Sequence, residues 1–183
     1  IKEINNLDES IPEKKILVNQ IIRALFVTGC IYRYYISKHQ KKSGNSLWGP
    51  VGAFFKSKIP RIRTMVLQCA CDICVGNCDF IEKAKGLVNA SFELGPPESI
   101  SAVVFLKNLL IQESLTEDTT AIDEIRPCYS SNLLQNFLPK IKESFLEQNS
   151  EIRTATLELI RVALLHGMTN PHEVIPYVIA LLC

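Results

Sequence analysis

Four cysteines close together, Cys69, Cys71, Cys74 and Cys78, are the residues of this chain best placed by type to do chemistry. Thiolates at such spacing could hold a metal or form a disulfide. A closed zinc site, however, draws four Cys or His ligands from separate turns, usually as two C-x₂₋₄-C pairs, and no second pair follows downstream. On a helix, Cys71, Cys74 and Cys78 fall at i, i+3 and i+7, which is one stripe, and free cysteine is among the residues most often buried. The expectation is core thiols, with no metal ligands and no cofactor. The seven cysteines, an odd number, fit a reducing compartment. The three histidines, His39, His166 and His172, lie near no Ser or Cys in a nucleophile motif, and no glycine-rich phosphate loop is present. The chain reads as a non-enzyme. Asn89-Ala90-Ser91 has the form of a glycosylation acceptor and is read as accidental.

Charge carries more information. The formal net charge of +1 hides a strong asymmetry: from Lys14 through Cys71 there are eleven of the twenty Lys and Arg and no Asp or Glu. That stretch is +11, and the remainder, with nine basic residues against nineteen acidic ones, is −10. Such separation creates a local positive potential that the total conceals, suited to a phosphate backbone if the cations gather in space and otherwise a solvated face. Lys38, Lys41, Lys42, Lys56, Lys58 and Arg61 are the candidate contacts with double-stranded DNA or a protein partner. Lys38, Lys41 and Lys42 are expected on one inter-helix turn and Lys56, Lys58 and Arg61 on the next turn but one, which would share an edge.

The elements that must position these residues are helical. Strand signals are poor, and Phe55, Ile62, Arg63, Thr64 and Leu67 recur ninety residues later as Phe145, Ile152, Arg153, Thr154 and Leu157. Ninety is twice about 45, within the ~40–47-residue period of HEAT and armadillo repeats. The fold class expected is therefore all-α, a HEAT-type α-solenoid of antiparallel helix pairs in which each unit covers its neighbour's apolar face. Ile100, Val103, Val104, Leu106, Leu109 and Leu110 supply an intervening unit without the arginine. Arg63 and Arg153, repeated with the unit, are expected to serve packing or a hydrogen bond between repeats.

Along the chain, a long helix is predicted from Pro12 to about Ser37 with Leu17, Ile21, Ala24, Leu25, Thr28, Ile31 and Tyr32 facing inward. A short helix over Val51–Lys58 follows, then one opened by Pro60, one after Asp79 ending near Asn89, and one over Ser99–Glu113. Residues 114–131 read as an exposed loop insertion. Leu133–Phe145 is a helix with Pro139 inside, Ser150 caps the next, Gly167 stops it, and Asn170-Pro171 opens the last. Residues 1–183 are expected to be a single segment of a larger protein, since the chain opens on Ile1 and closes on an apolar run. The longest apolar stretch, Ile16 to Ile36, is broken by Asn19, Gln20, Arg23 and Arg33, so neither a signal peptide nor a membrane span is expected.

Three stretches resemble the Nipped-B-like cohesin loaders in the same order. Phe145-Leu146, Ile152-Arg153 and the run from Leu159 to Ala180, with its Gly167, Pro171 and Val174-Ile175-Pro176-Tyr177-Val178-Ile179, are similar to that family's C-terminal HEAT region. Ile22 to Tyr35 resembles its Arg-Ser-Leu-Phe-type helix, and Phe105 to Leu110 its middle. Ile36-Ser37-Lys38-His39-Gln40 stands where the family has an acidic run, the mark of a divergent member. The resemblance implies a HEAT-repeat sister chromatid cohesion protein of the nucleus and chromosome. It would help load cohesin through contacts with the SMC and kleisin subunits and with double-stranded DNA, stimulating the cohesin ATPase with no active site, membrane or small-molecule substrate of its own. The competing reading is a HEAT/armadillo-type adaptor for transport or trafficking that grips proteins without touching DNA.

Overall fold

The computed structural model describes residues 12–36, 44–117 and 129–181, and among these the chain is all-α and HEAT-like, with no strand. Lys38, Lys41, Lys42 and most of the 114–131 insertion lie outside the described residues. The chain divides into two units, residues 1–88 and 89–183.

The first unit is built on α1 (Pro12–Ile31), which runs on as a π-helical turn over Tyr32–Ile36. It continues with α2 (Gly44–Phe54), α3 (Pro60–Gly76), a 3₁₀ turn (Cys78–Phe80) and α4, Ile81–Phe92, which crosses the boundary. Helix α1 packs on α3, and three contacts set the register. Arg61 Nη2 donates to Asn19 Oδ1 at 3.3 Å, a Cβ at Gly29 would lie 3.3 Å from the Cys69 Cα, and Arg33 meets Asp72 at 3.1 Å. Residue numbers rise together on both helices, so α1 and α3 are parallel and α2 returns between them. This is how alternate helices of stacked helix pairs relate.

The inward face of α1 is Val18, Leu25, Gly29 and Tyr32. That corrects the predicted stripe: Leu17 and Ile31 are 44% and 49% exposed, because Gly29 brings α1 so close to α3 that it, and not its bulkier neighbours, defines the contact line. Val66, Leu67, Ala70 and Ile73 of α3 complete the core, with Val51 from α2. Phe80 stacks with Trp48, centroids 5.5 Å apart, and meets the Tyr32 ring edge-on at 6.1 Å. Each such buried aliphatic or aromatic side chain is worth about 1.5–3 kcal/mol.

Several boundaries move: α4 runs to Phe92, the next helix covers Pro96–Glu117 and the one after it Tyr129–Ser144, so residues 114–117 and 129–131 of the expected loop are helical. Helix α2 spans Gly44–Phe54, not Val51–Lys58, and carries Pro50 inside it, while Phe55 and Lys56 form the turn that leaves it. By length and composition the helical stretch Glu13–Tyr35 could cross a membrane, against the sequence expectation. Only 22% of it is buried, and it packs one face against α3 and ties Arg33 to Asp72.

The second unit contains α5 (Pro96–Glu117), α6 (Tyr129–Ser144), α7 (Ser150–Leu165) and α8 (Pro171–Ala180). Helix α5 packs on both α6 and α7. Leu106 and Leu110 of α5, Leu134 and Ile141 of α6, Leu159 and Ile160 of α7 and Val174 of α8 are among its buried residues, each at most 2% exposed. Lysines tie neighbouring helices along the surface: Lys140 to Glu93, Lys142 to Glu173 and Lys107 to Glu158. Asn149 caps α7 by accepting from the Glu151 and Ile152 amides, and Asn170 caps α8 through the His172 amide. The α7 cap is thus Asn149, and Ser150 is the first helical residue. Gly167 ends α7 at φ +66, where the Met168 amide reaches back to Ala163 O at 2.8 Å, the closure that a left-handed residue permits.

Candidate nucleic-acid interface

The repeated signature is first of all a corner. Where α2 turns into α3, Arg63 Nη1 donates to Ser57 O at 2.6 Å. Ninety residues on, where α6 turns into α7, Arg153 Nη1 donates to Glu147 O at 2.8 Å and to Gln148 O at 3.2 Å. In each copy the guanidinium reaches back six residues to a connector carbonyl that no helix satisfies, and a cationic donor makes that bond stronger than a neutral one. Each arginine thus braces its own corner, where the sequence led to the expectation of packing or a hydrogen bond between repeats. The other echoed positions match less evenly, since Leu67 is fully buried and Leu157 is 37% exposed.

Arg33 is also committed to structure. It comes from the π-helical turn, and its Nη1 lies 3.1 Å from Oδ1 of Asp72, the first acidic residue after the basic block and 5% exposed in α3. Gln68 Nε2 stands 3.5 Å from the other carboxylate oxygen. The sequence reading missed this pair. Its signal was a lone aspartate in the apolar run of α3, which needs a partner if it is to be buried.

The block's other described cations stay at the surface. Lys56 and Lys58 are exposed on the connector entering α3, and Arg61 is exposed in the first turn of α3 beside Asn19. Lys15 is exposed one turn before Asn19, Lys14 is half-buried, and Arg23 is exposed one turn after it. Since α1 and α3 are parallel and Arg61 stands beside Asn19, α3 starts about two turns along α1; Lys56, Lys58 and Arg61 stand at the start of α3, and Glu13, Lys14 and Lys15 lie nearer the N-terminal end of α1. The N-terminus of α3 adds positive potential beside Arg61.

The expected shared edge falls in part on Lys38, Lys41 and Lys42, which lie outside the described residues; in the chain, the single helix α2 stands between them and Lys56, Lys58 and Arg61.

Cys69, Cys71 and Cys74 are buried on α3, as read from the sequence, but Cys78 is exposed because the helix stops at Gly76 and the stripe ends with it. Burial pushes the Cys69 and Cys71 thiols up to about 12, helped by the nearby Asp72 charge, and raises Cys74 in the same direction. These are inert thiols at neutral pH. Among the described residues no cluster of three or more Cys, His, Asp or Glu is placed to hold a metal ion. Burial also raises the Tyr32 hydroxyl, partly offset by its hydrogen bond with Asn77.

Fold and site together define an all-α, HEAT-like protein with one cationic edge. Residues 130–183 match the family model described as Sister chromatid cohesion C-terminus. Nipped-B-like protein A of Danio rerio is 32% identical over 68 residues, which is 37% of this chain and 3% of that protein. Nipped-B protein of Drosophila melanogaster is 27% identical over 70 residues, 38% of this chain and 3% of the relative. These matches bear out the resemblance read from the sequence: over residues 130–183 the chain is similar to the Nipped-B-like sister chromatid cohesion proteins. The matched stretch spans only a small fraction of the length of those relatives.

Proposed function

We propose that this chain is a non-enzymatic HEAT-repeat segment of a longer cohesin loader, acting in the nucleus on chromosomes. In this reading it is a solenoid segment that helps load cohesin onto double-stranded DNA and stimulates the cohesin ATPase through contacts with the SMC and kleisin subunits. The observation that carries it is the match of residues 130–183 to the sister chromatid cohesion C-terminus. Support for the DNA contact comes from the basic block, with Lys56, Lys58 and Arg61 at one end of α2 and Lys38, Lys41 and Lys42 in the connector at the other.

Depleting the protein from dividing cells and measuring chromosome-bound cohesin tests the loading role. Bound cohesin is expected to fall severalfold and to recover with the wild-type chain; an unchanged level refutes the role. Duplex binding by the purified chain separates this reading from an adaptor without DNA contact, because a phosphate-bound protein loses affinity steeply with salt.

A further inference from the structure

We infer that the outward face of α1 is where two copies of this chain join, each copy's α1 packing antiparallel on the other's.

Helix α1 carries two apolar faces. Val18, Leu25, Gly29 and Tyr32 lie toward α3. On the other side Leu17, Gln20, Ala24, Val27 and Ile31, with Tyr34 in the π-helical turn, follow at intervals of three and four residues in alternation, the spacing that keeps one line of a helix against a partner helix. All six are exposed, Val27 at 50% and Tyr34 at 67%. Gln20 is the single polar residue among them. The Tyr34 ring is held in place, since the Arg33 guanidinium lies 5.4 Å from its centroid and is itself tied to Asp72. A helix laid along this line would cover on the order of 700 Å² on each copy, about 1,400 Å² in all, inside the ~1,200–2,000 Å² of specific interfaces.

The line is complementary to itself, which selects a second copy as the occupant. An antiparallel pair centred between Leu25 and Phe26 sets Leu17 against the second copy's Tyr34, Gln20 against its Ile31 and the small Ala24 against its Val27. Arg23, at the border, then falls beside Thr28. A parallel pair would stack Gln20 on Gln20 and bring Arg23 beside Arg23, a like-charge contact that antiparallel order avoids. The antiparallel arrangement closes as a two-fold dimer in which the same patch serves both copies.

Gel filtration with light scattering on the whole chain at about 50 µM reads the state, because an interface of this area binds at micromolar strength or better. Wild type is expected at twice the chain mass of 20.6 kDa. Val27→Glu puts two carboxylates beside the two-fold axis and is expected to weaken the dimer at least about 100-fold, leaving a monomer whose unchanged Trp48 fluorescence shows that it is folded. Leu165→Glu, at a leucine of α7 that is 71% exposed, should leave the dimer intact. Adding Ala24→Lys to Val27→Glu should restore it, since antiparallel order faces each new lysine with the other copy's new glutamate. A monomeric wild-type chain overturns the inference, whether hydroxyl radicals then find Tyr34 protected, so that the chain covers the face itself, or reactive, so that the face is bare. A dimer that survives Val27→Glu, or dissolves in Leu165→Glu, joins through another face and overturns it as well. Failure of the double variant to recover overturns the antiparallel order.

Discussion

Gly29→Ala tests the close approach on which the first unit is built. The added methyl would sit 2.9 Å from Asp72 Oδ2 and 3.3 Å from both the Asp72 Cβ and the Cys69 Cα. Asp72 cannot simply swing away, because its Oδ1 is 3.1 Å from Arg33 Nη1. Cys69 offers backbone, which moves only with the helix. Overpacking of this kind costs about 1–3 kcal/mol. Against it stands the helix propensity of alanine over glycine, about 1 kcal/mol. The clash is expected to win, leaving a net loss of about 1 kcal/mol and at most about 2. Trp48 is the only tryptophan and stacks on Phe80 inside the first unit, so its fluorescence follows that unit alone. With a urea slope of about 1–2 kcal/mol/M, the midpoint should fall by roughly 1 M. In an Asp72→Ala background, where the carboxylate is gone, the same glycine substitution should cost about 1 kcal/mol less, a coupling expected of residues in contact. A midpoint that rises on Gly29→Ala in the wild-type background would show that propensity decides, and would refute the helix–helix distance argued here.

Arg63→Met and Arg153→Met should each destabilise their own unit by about 1–2 kcal/mol, because the connector carbonyls lose a charged donor; equal stability of variant and wild type in urea followed by circular dichroism would sink the corner-brace reading. Alkali should unfold the first unit. Cys69 and Cys71 titrate near 12 in the folded chain and near 8.5 when unfolded, so the stability that goes with keeping them neutral is complete below about pH 8.5 and is lost as pH rises toward 12. The loss is about 1.4 kcal/mol per pH unit for each thiol, so the Trp48 midpoint should drop clearly between pH 7 and pH 10, and less so in a Cys69→Ala, Cys71→Ala variant. A pH-independent midpoint over that range argues against buried thiols.

Local signals were the legible ones. Pro60 and Pro171 at helix starts, Asn170 as a cap and Gly167 as a stop could be read because each acts within one turn of chain. The ninety-residue echo was legible as well, and it marked the two arginine-braced corners. Gly29 and Asp72 were not, although both lie in periodic helices, because their meaning depends on a contact across 39 to 43 residues of sequence. Periodicity alone placed Leu17 and Ile31 inside; the actual contact line is set by which residue lets two backbones approach. The basic block was visible as composition, but its division into an edge, a buried ion pair and a corner brace required the parallel register of α1 and α3. The helix boundary at Gly44 was invisible to apolar spacing because α2 opens on Gly, Asn and Ser.

The braced corners imply graded stiffness. At the α2–α3 and α6–α7 turns a guanidinium spans six residues and resists any change in the angle between the helices it joins. The α4–α5 turn passes through Gly95 at φ +143 and the α7–α8 turn through Gly167, with no arginine across either among the contacts described. Under tension the arginine turns would be the stiffer joints and the glycine turns the softer ones. Strain should collect at the glycine turns, so amide exchange there is expected to quicken under load before it does at the arginine turns.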